Sequence, residues 1–173
     1  MKAILLSIKP KYVADILNGK KTIEIRKTMP KCDLPIDVYI YCSKSGKKNW
    51  HLIKVADTDT NWLGYAYDYY IGSKGYLRWC LEGKVVAKFT LNHIDKYVNG
   101  HLCYYAHYNA SSCLDCEDVL EPSCLTDDEL YKYAEDYSFY AWHIEDLVIF
   151  DKPKELSEFN IKTTPQSYCY IDK

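Results

Sequence analysis

Gly19-Lys20-Lys21-Thr22-Ile23-Glu24-Ile25-Arg26 decides the reading of this chain. Upstream, Pro10 suits a first helical position, Val13, Ile16 and Leu17 recur at three- and four-residue spacing, and Asn18-Gly19 is a stop signal. A short helix therefore leads into the quoted run. Within it Thr22, Glu24 and Arg26 alternate with Ile23 and Ile25, so a strand puts the isoleucines in a core and the polar trio on the other face. Lys21 stands at the strand entrance, where the pleat does not set its direction.

Working outward, Met1 to Lys9 reads as a first strand, because its apolar part is too short for a signal peptide or a membrane span. Pro30 to Pro35 is a loop and Ile36 to Cys42 an alternating strand. Ser43 to Asn49 is a loop, and Trp50 to Val55 begins another element. The stretch Asp57 to Tyr76, dense in tyrosine and glycine, has no clear assignment. Glu82-Gly83 marks a turn before a strand from Lys84 to Leu91 that continues toward Tyr97. Thr126-Asp127-Asp128-Glu129 has capping-box spacing and opens a helix through about Asp136, with Leu130, Tyr133 and Ala134 turned to the core. Leu147 to Phe150 reads as a buried strand ended by Pro153, and Ser167 to Ile171 as the closing strand.

The 173 residues suit one domain, 1–173, with insertions at about 44–82 and 99–124. Lys and Arg number 22 against 24 Asp and Glu, a formal net charge of −2. That balance excludes nucleic-acid binding by bulk electrostatics, so any such contact is local. Basic residues gather in the first 48 positions and acidic ones between Asp115 and Asp136. Eight cysteines without a secretory segment point to free thiols in a reducing cytoplasm. Cys113-x-x-Cys116, with Cys103, Cys124, His101 and His107, has zinc-ligand types at irregular spacing; unligated thiols are the reading, with no metal and no cofactor expected.

The pattern Gly19-x-Lys21-x-x-Glu24-x-Arg26, after Ser7-Ile8-Lys9-Pro10 and a short helix, resembles the ASCH domain. Tyr140-Ala141-Trp142-His143-Ile144-Glu145-Asp146-Leu147, leading into Asp151-Lys152-Pro153-Lys154-Glu155-Leu156, is similar to the closing segment of ASCH proteins carried by phages and other mobile elements. Pro165 to Tyr170 extends the likeness, which covers residues 1–43, about 84–98 and 125–173. It implies an α+β, PUA-like fold, a small twisted β-barrel with flanking helices. It also implies a superfamily whose members mostly bind RNA or modified nucleobases.

On that footing Lys9, Lys21, Glu24, Arg26 and Trp142 are the candidate binding residues, in a cleft between the first helix, the motif strand and the Trp142 segment. Arginine holds a phosphate or base edge bidentately, glutamate accepts from an exocyclic amine, and tryptophan stacks on a base. Trp142 and His143 point opposite ways in an extended segment. The plain alternatives are a surface ion pair for the trio and a core position for the tryptophan. Lys21 and Glu24 also form a candidate catalytic pair. One bacterial branch of ASCH-like proteins deacylates N4-acylated cytidines with a lysine, a threonine and a glutamate. The lysine carries over to Lys21, the threonine falls on Glu24, and its glutamate has no counterpart. The expected partner is RNA or a modified nucleoside, with no membrane. An amidohydrolase or ribonuclease is the enzymatic alternative, and a coactivator-like protein-interaction module is the other.

Overall fold

A computed structural model describes residues 2–44, 51–54, 76–79, 81–103 and 116–172. In chain order the elements are β1 (Lys2–Ile8), α1 (Pro10–Leu17), β2 (Ile23–Arg26), β3 (Ile36–Cys42), β4 (His51–Lys54), β5 (Tyr76–Trp79), β6 (Val85–Leu91), β7 (Ile94–Val98), β8 (His101–Cys103), α2 (Leu120–Ser123), α3 (Asp127–Tyr133), β9 (Phe139–His143), β10 (Glu145–Lys154) and β11 (Tyr168–Asp172). The content is mixed α+β, mostly strands with few helices. Two compact units are built from it, each from separate chain segments. The first takes Met1–Gly19, Asp37–Thr90 and Asp146–Lys173; the second takes Lys20–Ile36 and Leu91–Glu145.

The first unit holds a five-stranded sheet in the order β10-β6-β3-β1-β11. The central strand β1 is parallel to β3 and antiparallel to β11. Its run of apolar residues has no polar parity because both faces are covered: Ala3 and Leu5 pack with Tyr39, Tyr41, Val85 and Ile171, while Ile4, Leu6 and Ile8 are buried on the opposite face. Pro10 opens α1, and Gly19 follows it at φ +69°, a left-handed conformation that costs glycine nothing. β4 and β5 pair antiparallel as a separate two-stranded sheet. The tyrosine-rich stretch between them lies outside the described residues.

The second unit holds a four-stranded sheet in the order β2-β9-β7-β8. One face carries Ile23, Ile25, Tyr97, Phe139 and Ala141, packed with Val119, Leu130 and Ala134. Tyr97 and Phe139 stack with ring centroids 4.7 Å apart. The Thr126 hydroxyl accepts from the Glu129 N–H at 3.2 Å and the Glu129 carboxylate accepts from the Thr126 N–H at 3.1 Å, completing the capping box of α3. Thr126→Ala is expected to lower stability by about 1 kcal/mol in urea unfolding; no change would mean that α3 needs no cap.

Several expectations require correction. None of the three sheets closes into a barrel among the described residues. The strand expected from Lys84 toward Tyr97 is two strands, since Asn92 and His93 break it and β7 joins a different sheet from β6. Leu147 to Phe150 is not buried: β10 is an edge strand, Val148 is 47% exposed, and Pro153 lies within the strand rather than ending it. An edge tolerates proline because one row of its backbone groups needs no partner. α3 stops at Tyr133, which is 38% exposed rather than turned inward like Leu130 and Ala134. Within the stretch 99–124, β8 pairs with β7 and Val119 enters the core of the second unit. Cys32, Cys42, Cys124 and Cys169 are thiols rather than half-cystines. Cys113 and His107 lie outside the described residues.

Candidate functional site

The ladder between β2 and β9 fixes which side chains share a face. Glu24 lies opposite Trp142, and Arg26 opposite Tyr140; Ile23 and Ile25 lie opposite His143 and Ala141. Directly opposed residues project to the same side of a sheet, so Glu24, Arg26, Trp142 and Tyr140 share one face and His143 points to the other. β7 extends both rows, placing Ile94 opposite Trp142 and Lys96 opposite Tyr140. The face thus carries a row Glu24-Trp142-Ile94 and a row Arg26-Tyr140-Lys96, in which a half-buried tyrosine stands between two cations.

Lys21, before the strand, is drawn into the same constellation. Its Nζ lies 3.2 Å from Glu24 Oε2 and donates to the Ser123 carbonyl at 2.7 Å. Arg26 Nη2 lies 2.8 Å from Glu24 Oε1, so one carboxylate is held between two cations. All three are buried, at 3%, 7% and 8% exposure for Lys21, Glu24 and Arg26. Charged side chains are rarely this enclosed without partners, and the ions repay their desolvation only through close pairing. The Ser123 carbonyl and the Glu24 carboxylate are acceptors, so Lys21 Nζ acts as a donor toward each. Nucleophilic attack would require it to give up a proton and to leave these two acceptors.

The backbone explains how Lys21 is held. The Thr22 N–H donates to the Pro122 carbonyl at 2.8 Å, and the Ile144 N–H to the Thr22 carbonyl at 2.9 Å. α2 ends at Ser123, followed by Cys124 at φ +53°, and the Ser123 hydroxyl donates back to the Leu120 carbonyl at 3.1 Å. The end of the second insertion is therefore part of the site, an acceptor that the sequence reading missed because a backbone carbonyl leaves no residue signature.

Tyr133 stands beside these charges. Burial pushes its phenol above the ordinary tyrosine range, the Arg26 charge and the Lys27 backbone N–H work against that rise, and the Glu24 charge adds to it. Lys27 Nζ lies 5.3 Å from its ring centroid. A phenol whose folded value is raised keeps its proton where the unfolded chain has begun to lose it, so its contribution is complete below about pH 10 and falls as pH rises toward the folded value. Tyr133→Phe is expected to remove part of the alkaline loss of stability, measured as the difference between wild-type and variant melts from about pH 9 to 11. Parallel curves would contradict it.

Trp142 is fully buried and is the cross-strand neighbour of Glu24 on the same face. Lys9 is exposed at the N-cap of α1 and belongs to the first unit. Tyr140, Lys96 and Tyr133 were not among the candidate site residues read from the sequence; the cross-strand register that brings the first two beside Arg26 is not visible before pairing is known.

A family model described as the ASCH domain matches residues 6–153. No curated protein matches the chain. Among solved structures, the ASCH protein of Zymomonas mobilis is similar with a TM-score of 0.60 at 16% identity, over 99% of this chain and 88% of that one. A serine-to-alanine variant of it gives 0.58 at 14% identity over 99% and 89%, and a tyrosine-to-phenylalanine variant gives 0.59 at 15% over 100% and 92%. At such identity the likeness shows the fold. Among the described residues no helix is long and apolar enough to cross a membrane.

Proposed function

The chain belongs to the ASCH domain family, and from that premise we propose that its second unit binds RNA or a modified nucleoside on the sheet face bearing Glu24, Arg26, Tyr140 and Lys96. The observation that carries this reading is the buried carboxylate shared by Lys21 and Arg26 beside a tyrosine flanked by two cations. Arg26 and Lys96 meet phosphate oxygens, Tyr140 supplies a ring for a base to stack on, and Glu24 holds Arg26 in position while accepting from an exocyclic amine. A tyrosine set between two basic residues on a sheet suits a single strand, whose bases are free to unstack. The PUA-like kinship and a cytoplasmic setting belong to the same proposal.

With a net charge of −2, RNA affinity rests on a few local cations, so binding is expected to be weak and to fall steeply between about 50 and 200 mM salt. Anisotropy titrations of labelled short RNAs, with calorimetry of modified nucleosides, check this. Tyr140→Ala is expected to weaken binding roughly 5- to 150-fold, the equivalent of one stacked base, while Tyr140→Phe retains most of it. Binding unchanged in Tyr140→Ala would remove Tyr140 from the account.

Hydrolysis of an N4-acylcytidine is the enzymatic alternative, favoured by the closeness of Lys21 and Glu24. The donor role of Lys21 and the glutamate at the position of the deacylating branch's threonine weigh against it. Turnover by the wild type that is abolished in Lys21→Arg would favour the enzyme, because arginine keeps the charge but cannot act as a nucleophile.

A further inference from the structure

On the opposite face of the same sheet we propose a binding site for a first-row divalent cation of the zinc class, formed by His93, Asp95 and His143. This inference is independent of the RNA or nucleoside reading. Asp95 presents both carboxylate oxygens to imidazoles: Oδ1 lies 2.8 Å from His93 Nε2 and Oδ2 lies 2.8 Å from His143 Nε2. The ligating atoms of all three lie within 4.8 Å of one another. The two rings are tilted against each other at 55° with centroids 4.9 Å apart.

The backbone holds this arrangement. Asp95 lies in β7 and His143 ends β9, and the His143 N–H donates to the His93 carbonyl at 3.1 Å, fixing the two histidines across the ladder. Two nitrogens and a carboxylate oxygen are a donor set that zinc-class cations accept, with bonds of about 2.0–2.2 Å and ligand atoms therefore about 3.3 Å apart in a tetrahedron. The present separations of 2.8 Å and at most 4.8 Å bracket that spacing, so a cation enters with small side-chain rotations rather than a backbone change. Each imidazole then offers its Nε2 lone pair and carries its ring proton on Nδ1, and the two hydrogen bonds to Asp95 are exchanged for metal bonds. His93 is the most exposed of the three, leaving the remaining coordination position open to water or to a ligand atom from outside.

Co2+ is the probe, because its visible absorption separates nitrogen and oxygen ligation from thiolate ligation in a chain with eight cysteines. Titration of the full reduced chain is expected to give the weak ligand-field bands of nitrogen and oxygen ligation, displaced by Zn2+, with a rise in melting temperature. His93→Ala, at an exposed position, and Asp95→Asn, of unchanged shape, are each expected to abolish those bands or to weaken Zn2+ binding by more than the roughly 10- to 100-fold typical of losing a mere supporting residue. Absence of Co2+ binding overturns the site, as does purely thiolate absorption, or a nitrogen and oxygen signal that persists in both variants.

Discussion

Glu24→Ala is expected to lower stability by about 3–5 kcal/mol in equilibrium unfolding, because it leaves Lys21 and Arg26 enclosed without the carboxylate they share. A loss below about 1 kcal/mol would place the trio in water rather than in the interior. The companion experiment separates stability from function. Replacing all three ions together, Lys21→Met with Glu24→Leu and Arg26→Met, is expected to leave stability nearly unchanged, since apolar side chains of similar volume need no pairing. The same variant is expected to lose ligand binding. A buried ionic trio that contributes little net stability yet is required for binding is the signature of a functional site.

Trp142→Ala is the second large effect, with an expected loss of about 3–5 kcal/mol from the cavity left beside Glu24 in the next strand. Trp142→Phe retains a ring and is expected to cost less. Chemical unfolding of both variants measures the difference, and equal small losses would show that the indole is not part of the packed interior. This result also separates the two aromatic residues of the face: Trp142 is fully buried, whereas Tyr140 is half-buried and is the ring the proposed function assigns to a base.

The site was legible where local periodicity carries the information. Alternation in Ile23 to Arg26 put Glu24 and Arg26 on one side, and the ladder agrees. Thr126 and Glu129 announced the start of α3 because a capping box is a four-residue pattern. Contacts between distant segments were not legible. The Ser123 carbonyl that anchors Lys21 lies 102 residues away and involves no side chain. The row Arg26-Tyr140-Lys96 depends on which strands pair, and the Asn92-His93 break that sends β7 to its own sheet contains neither glycine nor proline. Composition misled at β10, whose apolar Leu147 to Phe150 sits at a sheet edge, where burial is set by the neighbour on one side only.

The most direct test of the central claim is a binding titration of short RNAs and modified nucleosides against wild-type protein, Lys21→Arg and Lys21→Ala, each first shown to be folded by circular dichroism. The account predicts saturable binding by the wild type, most of it retained in Lys21→Arg and lost in Lys21→Ala, because the positive charge that holds Glu24 is what the site requires. Absence of binding by the wild type, or equal binding by folded Lys21→Ala, would contradict it.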